Sequence, residues 1–403
     1  MCKIMFVDEY KIVNYAGGIE RVICNFANEF IERGYDISIV GLDSEKGKPL
    51  FKLNPKVNFI NLAYLGEKYN SIKYYLVKAE KELLKLIKGK KFVNDGGIYN
   101  DPRKRYFYSE FIKRLSIVIG DLKPDIIICA SVDSTYIAQK ACNYSVPVIM
   151  MCHMNTQIIV GEAKDYQMEA WKQADIVQTL LPSYAKIMKQ AGAKNVIIIP
   201  NTVPVINADN LADLEKNKET YRIITVGRIE KVLKRTHLLV EAFGKIAVNF
   251  PSWYVDIYGE IDNKRYIKQI RRLIAKYNIE EKVILHGKTD NVIQKLKESD
   301  IFAFPSKSEG FSLAMTEAMS VGLPVVAYKS CSGVNEIIVD TKNGFLVEDG
   351  IEDFANKLEK LMRNRELRIK MGNEARKTVL NYTPDKIWDK WETVICNLIK
   401  QKR

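Results

Sequence analysis

At 403 residues the chain is longer than one hydrophobic core usually supports, and it predicts two α/β domains of about 200 residues each. With 47% hydrophobic and 28% charged residues, and no evident repeat or low-complexity tract, it reads as globular rather than disordered or fibrous. The net charge of +13 admits nucleic acid, an anionic membrane surface or a polyanionic substrate, and does not choose among them.

Short β-branched runs alternate with longer amphipathic segments along the chain, the sequence form of parallel sheets with crossover helices. The N-terminus goes directly into a strand at Lys3 to Val7, with no charged leader or cleavage-site pattern, which predicts a cytoplasmic protein. Strands follow at Asp36 to Gly41 and Val57 to Leu62. The 58 residues from Gly66 to Lys123 then carry 14 Lys and Arg against seven Asp and Glu, a balance of +7. Within them Tyr74, Tyr75, Leu76, Leu83, Leu84, Leu86 and Ile87 alternate with Lys73, Lys78, Lys81, Lys85 and Lys88, followed by Lys90 and Lys91. A basic amphipathic pattern of this kind suits a solvated crossover helix packed on its own sheet. It also suits a helix held at an anionic membrane surface, and the second is the expectation taken here: a peripheral protein at the inner face of the membrane.

The first half closes with strands at Asp125 to Ala130, Val146 to Cys152, Asp175 to Thr179 and Val196 to Ile199. No apolar run approaches the roughly 20 residues that a membrane-spanning helix requires. Pro200 to Lys218 is polar, contains Pro204 and several Asn and Asp residues, and lacks an apolar period, so the domain boundary falls there. Residues 1–203 form one predicted domain, completed by a C-terminal helix over 384–403, and residues 204–383 form the other. Second-half strands are predicted at Tyr221 to Val226, Trp253 to Tyr258, Lys282 to His286, Asp300 to Phe304 and Leu323 to Tyr328. Several strands are apolar almost without alternation, as strands buried on both faces are. Each half therefore reads as a doubly wound parallel sheet. Ligands bind beyond the carboxyl ends of such strands, so two of these sheets facing one another predict a deep cleft.

The strongest motif is PSKSEGFSLAMTEAMSVGLPVVA, Pro305 to Ala327. A strand ends at its start, a polar loop carries Glu309 and Gly310, and a helix begins near Ser312. From Gly310 through Tyr328 the only charged residue is Glu317, on an otherwise apolar helix. Burying a lone carboxylate there costs several kcal/mol unless it is hydrogen-bonded or reaches a cleft, and vicinal ribose hydroxyls are suitable donors. Backbone N–H groups from Phe311 to Leu313 suit an anion or sugar hydroxyls, and Gly310 permits close backbone approach. The second motif is VGRIEKVLKRTHLLVEAF, Val226 to Phe243. Arg228 and Lys234 follow its strand and suit a diphosphate whose charge grows as it departs, with Lys231 or Arg235 as alternatives to Lys234.

The seven cysteines are scattered and never paired as C-x-x-C, so they read as reduced thiols. The three histidines do not cluster with carboxylates at metal spacing and no D-x-D pair is present, so no metal or other cofactor is expected.

Taken together, Glu309 and Glu317 with the E-G-F-x-L start, and V-G-R followed by Lys-Arg, resemble the nucleotide-sugar site of glycosyltransferase family 4, which has the GT-B fold. The resemblance extends to Gly17 and Gly18 in AGGIERV, His153 in VIMMCHMN, IPNTV at Ile199 to Val203 and NGFLV at Asn343 to Val347. It implies a retaining enzyme that moves a sugar from a nucleotide diphosphate, most commonly UDP, to a glycan or lipid-linked acceptor in cell-surface polysaccharide synthesis. Arg228 and Lys234 would hold the diphosphate, Glu317 the ribose, and Glu309 with the amides of Phe311, Ser312 and Leu313 the donor sugar. His153 would lie over that sugar from the acceptor domain, and the Gly17-Gly18 loop would let donor and acceptor approach. The family's final helix crosses back onto the first domain, and Thr383 to Lys400 is expected to do the same. One departure is an extra residue between Arg228 and the following helix. Other readings are a nucleotide-sugar epimerase, a phosphorylase, or a basic nucleic-acid-binding protein; the signatures of each are missing from the sequence.

Overall fold

The computed structural model describes residues 2–9, 12–15, 17–43, 45–64, 71–95, 97–261 and 263–402. The chain forms two compact units, Met1–Ile199 with Trp388–Arg403, and Pro200–Ile387. The division thus falls at 199/200 rather than 203/204, and Pro384 to Ile387 group with the second unit.

In unit 1 the elements are β1 (Lys3–Asp8), α1 (Gly18–Glu32), β2 (Asp36–Gly41), β3 (Asn58–Asn61), α2 (Ser71–Lys88), α3 (Lys90–Asp95), α4 (Gly97–Asn100) and α5 (Pro102–Leu122). They continue with β4 (Ile126–Cys129), α6 (Val132–Ala141), β5 (Val148–Cys152), α7 (Thr156–Gly161), α8 (Asp165–Gln173), β6 (Ile176–Thr179), α9 (Pro182–Gln190) and β7 (Val196–Ile198). The sheet runs β3-β2-β1-β4-β5-β6-β7, with every pairing parallel. β1 is central: Phe6 stands opposite Ile39 on one side and Ile128 on the other. β4 and β5 are buried at every position, because helices cover both faces of a parallel sheet.

Unit 2 contains β8 (Tyr221–Val226), α10 (Thr236–Ile246), β9 (Trp253–Tyr258), α11 (Lys264–Lys276), β10 (Val283–Gly287) and α12 (Val292–Lys297). β11 (Ile301–Phe304), α13 (Leu313–Ser320), β12 (Val325–Tyr328), β13 (Gly344–Val347), α14 (Ile351–Arg363) and α15 (Arg365–Val379) complete it. Its order is β10-β9-β8-β11-β12-β13, again parallel throughout. β13 is the strand the sequence reading did not assign. It adds to the edge of the sheet by pairing Phe345 with Val326.

The last helix, α16 (Pro384–Lys402), returns the chain to unit 1. Trp388 and Trp391, spaced to share one helix face, bury their rings 5.1 Å and 4.9 Å from Phe26 of α1. Arg33, one residue beyond α1, holds Asp389 at 2.8 Å and Glu392 at 2.6 Å.

The basic segment forms α2 to α5, with residues 66–70 and 96 of it outside the described residues. α2 packs on α3 and α5 through the side carrying Tyr74, Val77, Lys81 and Leu84. Lys81 reaches Asp101 at 2.5 Å, and Arg103 donates to the Tyr74 hydroxyl at 2.9 Å. The more strongly apolar side of α2 points the other way and is exposed.

Candidate functional site

The strand order in unit 2 reverses between β8 and β11, and the crevice beyond the carboxyl ends of two such strands is where open parallel sheets bind ligands. The chain leaves β8 through Gly227 and the exposed Arg228. Glu230 then accepts hydrogen bonds from the N–H groups of Val232 (3.1 Å), Leu233 (2.6 Å) and Lys234 (2.6 Å). That carboxylate curls the basic loop and turns Lys234 toward the end of β11, where its ammonium meets Glu309 Oε1 at 2.6 Å. Both side chains are mostly buried, 24% and 12% exposed, so the pair is shielded from bulk screening.

The alternatives to Lys234 are placed differently. Arg235 donates to the carbonyls of Pro305 (2.9 Å) and Ser306 (3.0 Å) and stacks 4.5 Å from the Tyr328 ring centre, so it braces the loop after β11. Lys231 is exposed.

A third loop fixes Glu309. Its N–H donates to the Ser332 carbonyl at 3.0 Å, and the Ser308 and Ser332 hydroxyls lie 3.0 Å apart. Gly333 has φ +83°, and a Cβ there would stand 2.4 Å from the Glu309 carbonyl oxygen. Only glycine meets both conditions. Sequence reasoning missed this loop and Glu230; the Ser-Gly pair after β12 was the available signal, since it follows another carboxyl end of the same sheet.

α13 starts as expected. Ser312, with φ 52°, is its N-cap and accepts from the Met315 N–H at 3.4 Å. Phe311 is buried edge-on to Tyr382, with ring centres 5.1 Å apart, anchoring the turn that carries Gly310. Glu317, 3% exposed, lies one helical turn after Leu313 on the same side. Arg228, Lys234, Glu309, Gly310, Phe311, Ser312, Leu313 and Glu317 therefore all belong to the loops and helix start that follow two adjacent strands.

In unit 1 the reversal lies between β1 and β4. Gly17 is the N-cap of α1, and a Cβ on it would fall 1.9 Å from Glu20 Oε2, so the missing side chain makes room for that carboxyl. Burial pushes the Glu20 carboxyl up to about 7, and the charge of Asp8 adds to the shift. Gly18 begins the helix and is exposed. Beyond β4, Ser131 caps α6 and its hydroxyl lies 2.6 Å and 2.7 Å from the two Glu9 oxygens. Burial, with Asp8 and Asp133 nearby, raises Glu9 to about 8.

His153 follows β5, and burial lowers its imidazole to about 4, so the ring is neutral at pH 7. It lines a cavity of about 310 Å³ together with Ile19, Lys104, Ser131, Asp133 and Gln167. Lys104 contacts Asp133 at 3.3 Å and the Tyr166 hydroxyl at 3.1 Å, while Gln167 donates to Asp133 at 2.8 Å. Sequence reasoning did not select these polar residues, although SVDS at Ser131 to Ser134 directly follows a predicted strand. Among the described residues no three His, Cys, Asp or Glu gather as a metal-ligand set.

Comparison with known proteins agrees with this geometry. Residues 16–205 match the model of Glycosyltransferase Family 4, and residues 207–378 that of Glycosyl transferases group 1. A Haemophilus influenzae protein named "Uncharacterized glycosyltransferase" is 26% identical over 390 residues, 95% of this chain and 97% of its own length. The poly(ribitol-phosphate) α-N-acetylglucosaminyltransferase of Staphylococcus aureus is 32% identical over 209 residues; these are 51% of this chain and only 40% of that longer protein. Among solved structures, a point mutant of S. aureus TarM in complex with fondaparinux, α-GlcNAc-glycerol and UDP has a TM-score of 0.72 at 20% identity, covering 98% of this chain and 100% of that one. Two parallel α/β units of this topology are the GT-B fold; the family models and the named relatives make the protein a glycosyltransferase. The chain belongs to glycosyltransferase family 4.

Proposed function

We propose that the enzyme is a retaining hexosyltransferase that moves a sugar from a UDP-sugar to a glycan or lipid-linked acceptor in cell-surface polysaccharide synthesis, working in the cytoplasm at the inner face of the membrane. The observation that carries the donor half is the Lys234–Glu309 pair at the β8/β11 reversal, a cation and a hydrogen-bond acceptor held side by side beneath a helix start. Arg228 and Lys234 bind the diphosphate, Glu317 the ribose, and Glu309 with the amides of Phe311, Ser312 and Leu313 the sugar. The cavity beside His153 supports an acceptor role for unit 1, being large enough for a sugar unit and lined by hydroxyl-binding groups.

In the reaction, an acceptor hydroxyl oxygen bonds to the sugar's anomeric carbon on the face from which the diphosphate leaves, and the C–O bond to the diphosphate breaks. The hydroxyl proton passes to a phosphate oxygen, and the two cations stabilise the charge left on the diphosphate. The S. aureus relative is named for an α-linked transfer, and the TarM complex holds UDP with α-GlcNAc-glycerol, which supports retention and a uridine donor. No metal is assigned a role, because side-chain cations and helix-start amides occupy the position of need.

A screen of nucleotide sugars for slow hydrolysis without acceptor tests the donor, alongside thermal stabilisation by UDP and by an oligonucleotide. UDP stabilisation and hydrolysis of one UDP-sugar are expected. Stabilisation by the oligonucleotide alone rejects the reading.

A further inference from the structure

Most amphipathic helices bury their apolar side on their own domain, but α2 does the reverse. At about 100° per residue, Ile72, Tyr75, Leu76, Leu83, Leu86 and Ile87 share one arc of roughly 120°. All six are exposed, Leu86 at 84%, Ile72 at 72% and Ile87 at 69%. The opposite arc, with Tyr74, Lys81 and Leu84, packs on α3 and α5. A contiguous apolar stripe of this size on a charged protein marks a surface that something covers.

The surrounding charges say what covers it. The two glutamates of α2 are both paired with cations, Glu80 with Arg105 at 3.0 Å and Glu82 with Lys85 at 2.7 Å. These two glutamates border the stripe; just beyond them on either side Lys73 and Lys78 are exposed, and Lys88, Lys90 and Lys91 are exposed at the end of the helix and just past it. A protein partner is a poor fit, since interface cores exclude lysine and need an acidic, shaped counterpart. Anionic lipid fits both features: apolar side chains enter the acyl boundary while lysine stems lie along it and keep their ammonium groups among the headgroups.

We infer that the outward face of α2 is a membrane-insertion surface, on which the enzyme lies in the plane of an anionic bilayer leaflet through the six apolar side chains, with the lysines attracting it electrostatically. The inference rests on the membrane-adjacent acceptor proposed above and assigns the contact to the stripe rather than to the charges alone. It differs from a merely basic patch in its salt response. A basic patch is released by salt, whereas an inserted stripe retains part of its binding at high salt.

The test is flotation with vesicles of phosphatidylcholine and phosphatidylglycerol at low and high salt. Three full-length proteins are compared: the wild type, a Leu76→Ser/Leu86→Ser/Ile87→Ser variant, and a Lys78→Gln/Lys88→Gln/Lys90→Gln/Lys91→Gln variant. The substituted side chains are exposed, and circular dichroism confirms that both variants fold. The wild type is expected to float at low salt and to retain a measurable fraction at high salt. The serine variant loses at least tenfold in partitioning at both, and the glutamine variant loses mainly at low salt. Equal flotation of wild type and serine variant overturns the inference, as does a wild type that stays with the soluble fraction at low salt. A wild-type dimer that ignores vesicles and dissociates in the serine variant also overturns it, and makes the stripe a protein interface. Donor hydrolysis is measured on the same samples: its absence from a wild type that floats counts against the proposed activity and leaves the membrane surface standing.

Discussion

Lys234 and Glu309, 75 residues apart in the chain, meet at 2.6 Å because β8 and β11 lie side by side and each residue sits in the loop that follows its strand. An ammonium held by a carboxylate in this way is positioned before any ligand arrives. In the proposed donor site a diphosphate would share a cation whose rotamer is already restricted.

Calorimetry with UDP separates the two roles. Lys234→Ala and Arg228→Ala each weaken UDP binding by about 10- to 100-fold, the worth of a charge-assisted hydrogen bond. Glu309→Gln, which removes Lys234's competing anion, leaves UDP affinity equal or tighter while lowering kcat. Weaker UDP binding in Glu309→Gln would show that Glu309 serves the diphosphate end.

Gly333→Ala strikes the support of Glu309 without touching a ligand. A Cβ at φ +83°, aimed at the Glu309 carbonyl oxygen, forces the loops apart at a cost of about 1–3 kcal/mol. The variant is expected to melt at a lower temperature and to lose transfer more than UDP affinity. An unchanged kcat means that the third loop does not position Glu309.

Glu20 supplies a pH test. Its folded carboxyl stands at about 7 against an ordinary 4.5, so between these values the folded protein keeps a proton that the unfolded chain has lost. The stability this confers is complete below pH 4.5 and is lost as pH rises through 7. Glu20→Gln stays neutral throughout, so relative to the wild type it gains up to about 3 kcal/mol between pH 4 and pH 8. Urea unfolding at the two pH values measures the change. A pH-independent difference between the proteins contradicts the buried, protonated state.

Transfer is expected to persist in excess EDTA, because the proposed site assigns to Arg228, Lys234 and the amides at the start of α13 the charge that a metal would otherwise carry. Activity lost to EDTA and restored by magnesium or manganese refutes that assignment.

What the sequence made legible follows from which forces are local. Strand ends such as Val226 and Phe304 were readable because short, largely apolar runs stop there, at Gly227 and Arg228 in one case and at Pro305 in the other. β13 escaped because four residues after a polar turn carry no period; its place depends on pairing with β12. Neighbouring in space is likewise not a local property: the sequence reading preferred Lys234 with Arg235 as an alternative, and only the fold shows Arg235 donating to the Pro305 and Ser306 carbonyls. The apolar stripe of α2 was visible as a pattern, but a helical period does not record which side of the helix the protein occupies.

The route of α16 imposes an order on synthesis. Phe26 is made early and waits for Trp388 and Trp391, with the whole of unit 2 translated in between. Until then the outer face of α1 is uncovered apolar surface in a growing polypeptide, the condition that invites chaperone binding or aggregation. Unit 2 is contiguous, so all of its residues are made before the last segment of unit 1, although residues 1–199 of unit 1 leave the ribosome ahead of it.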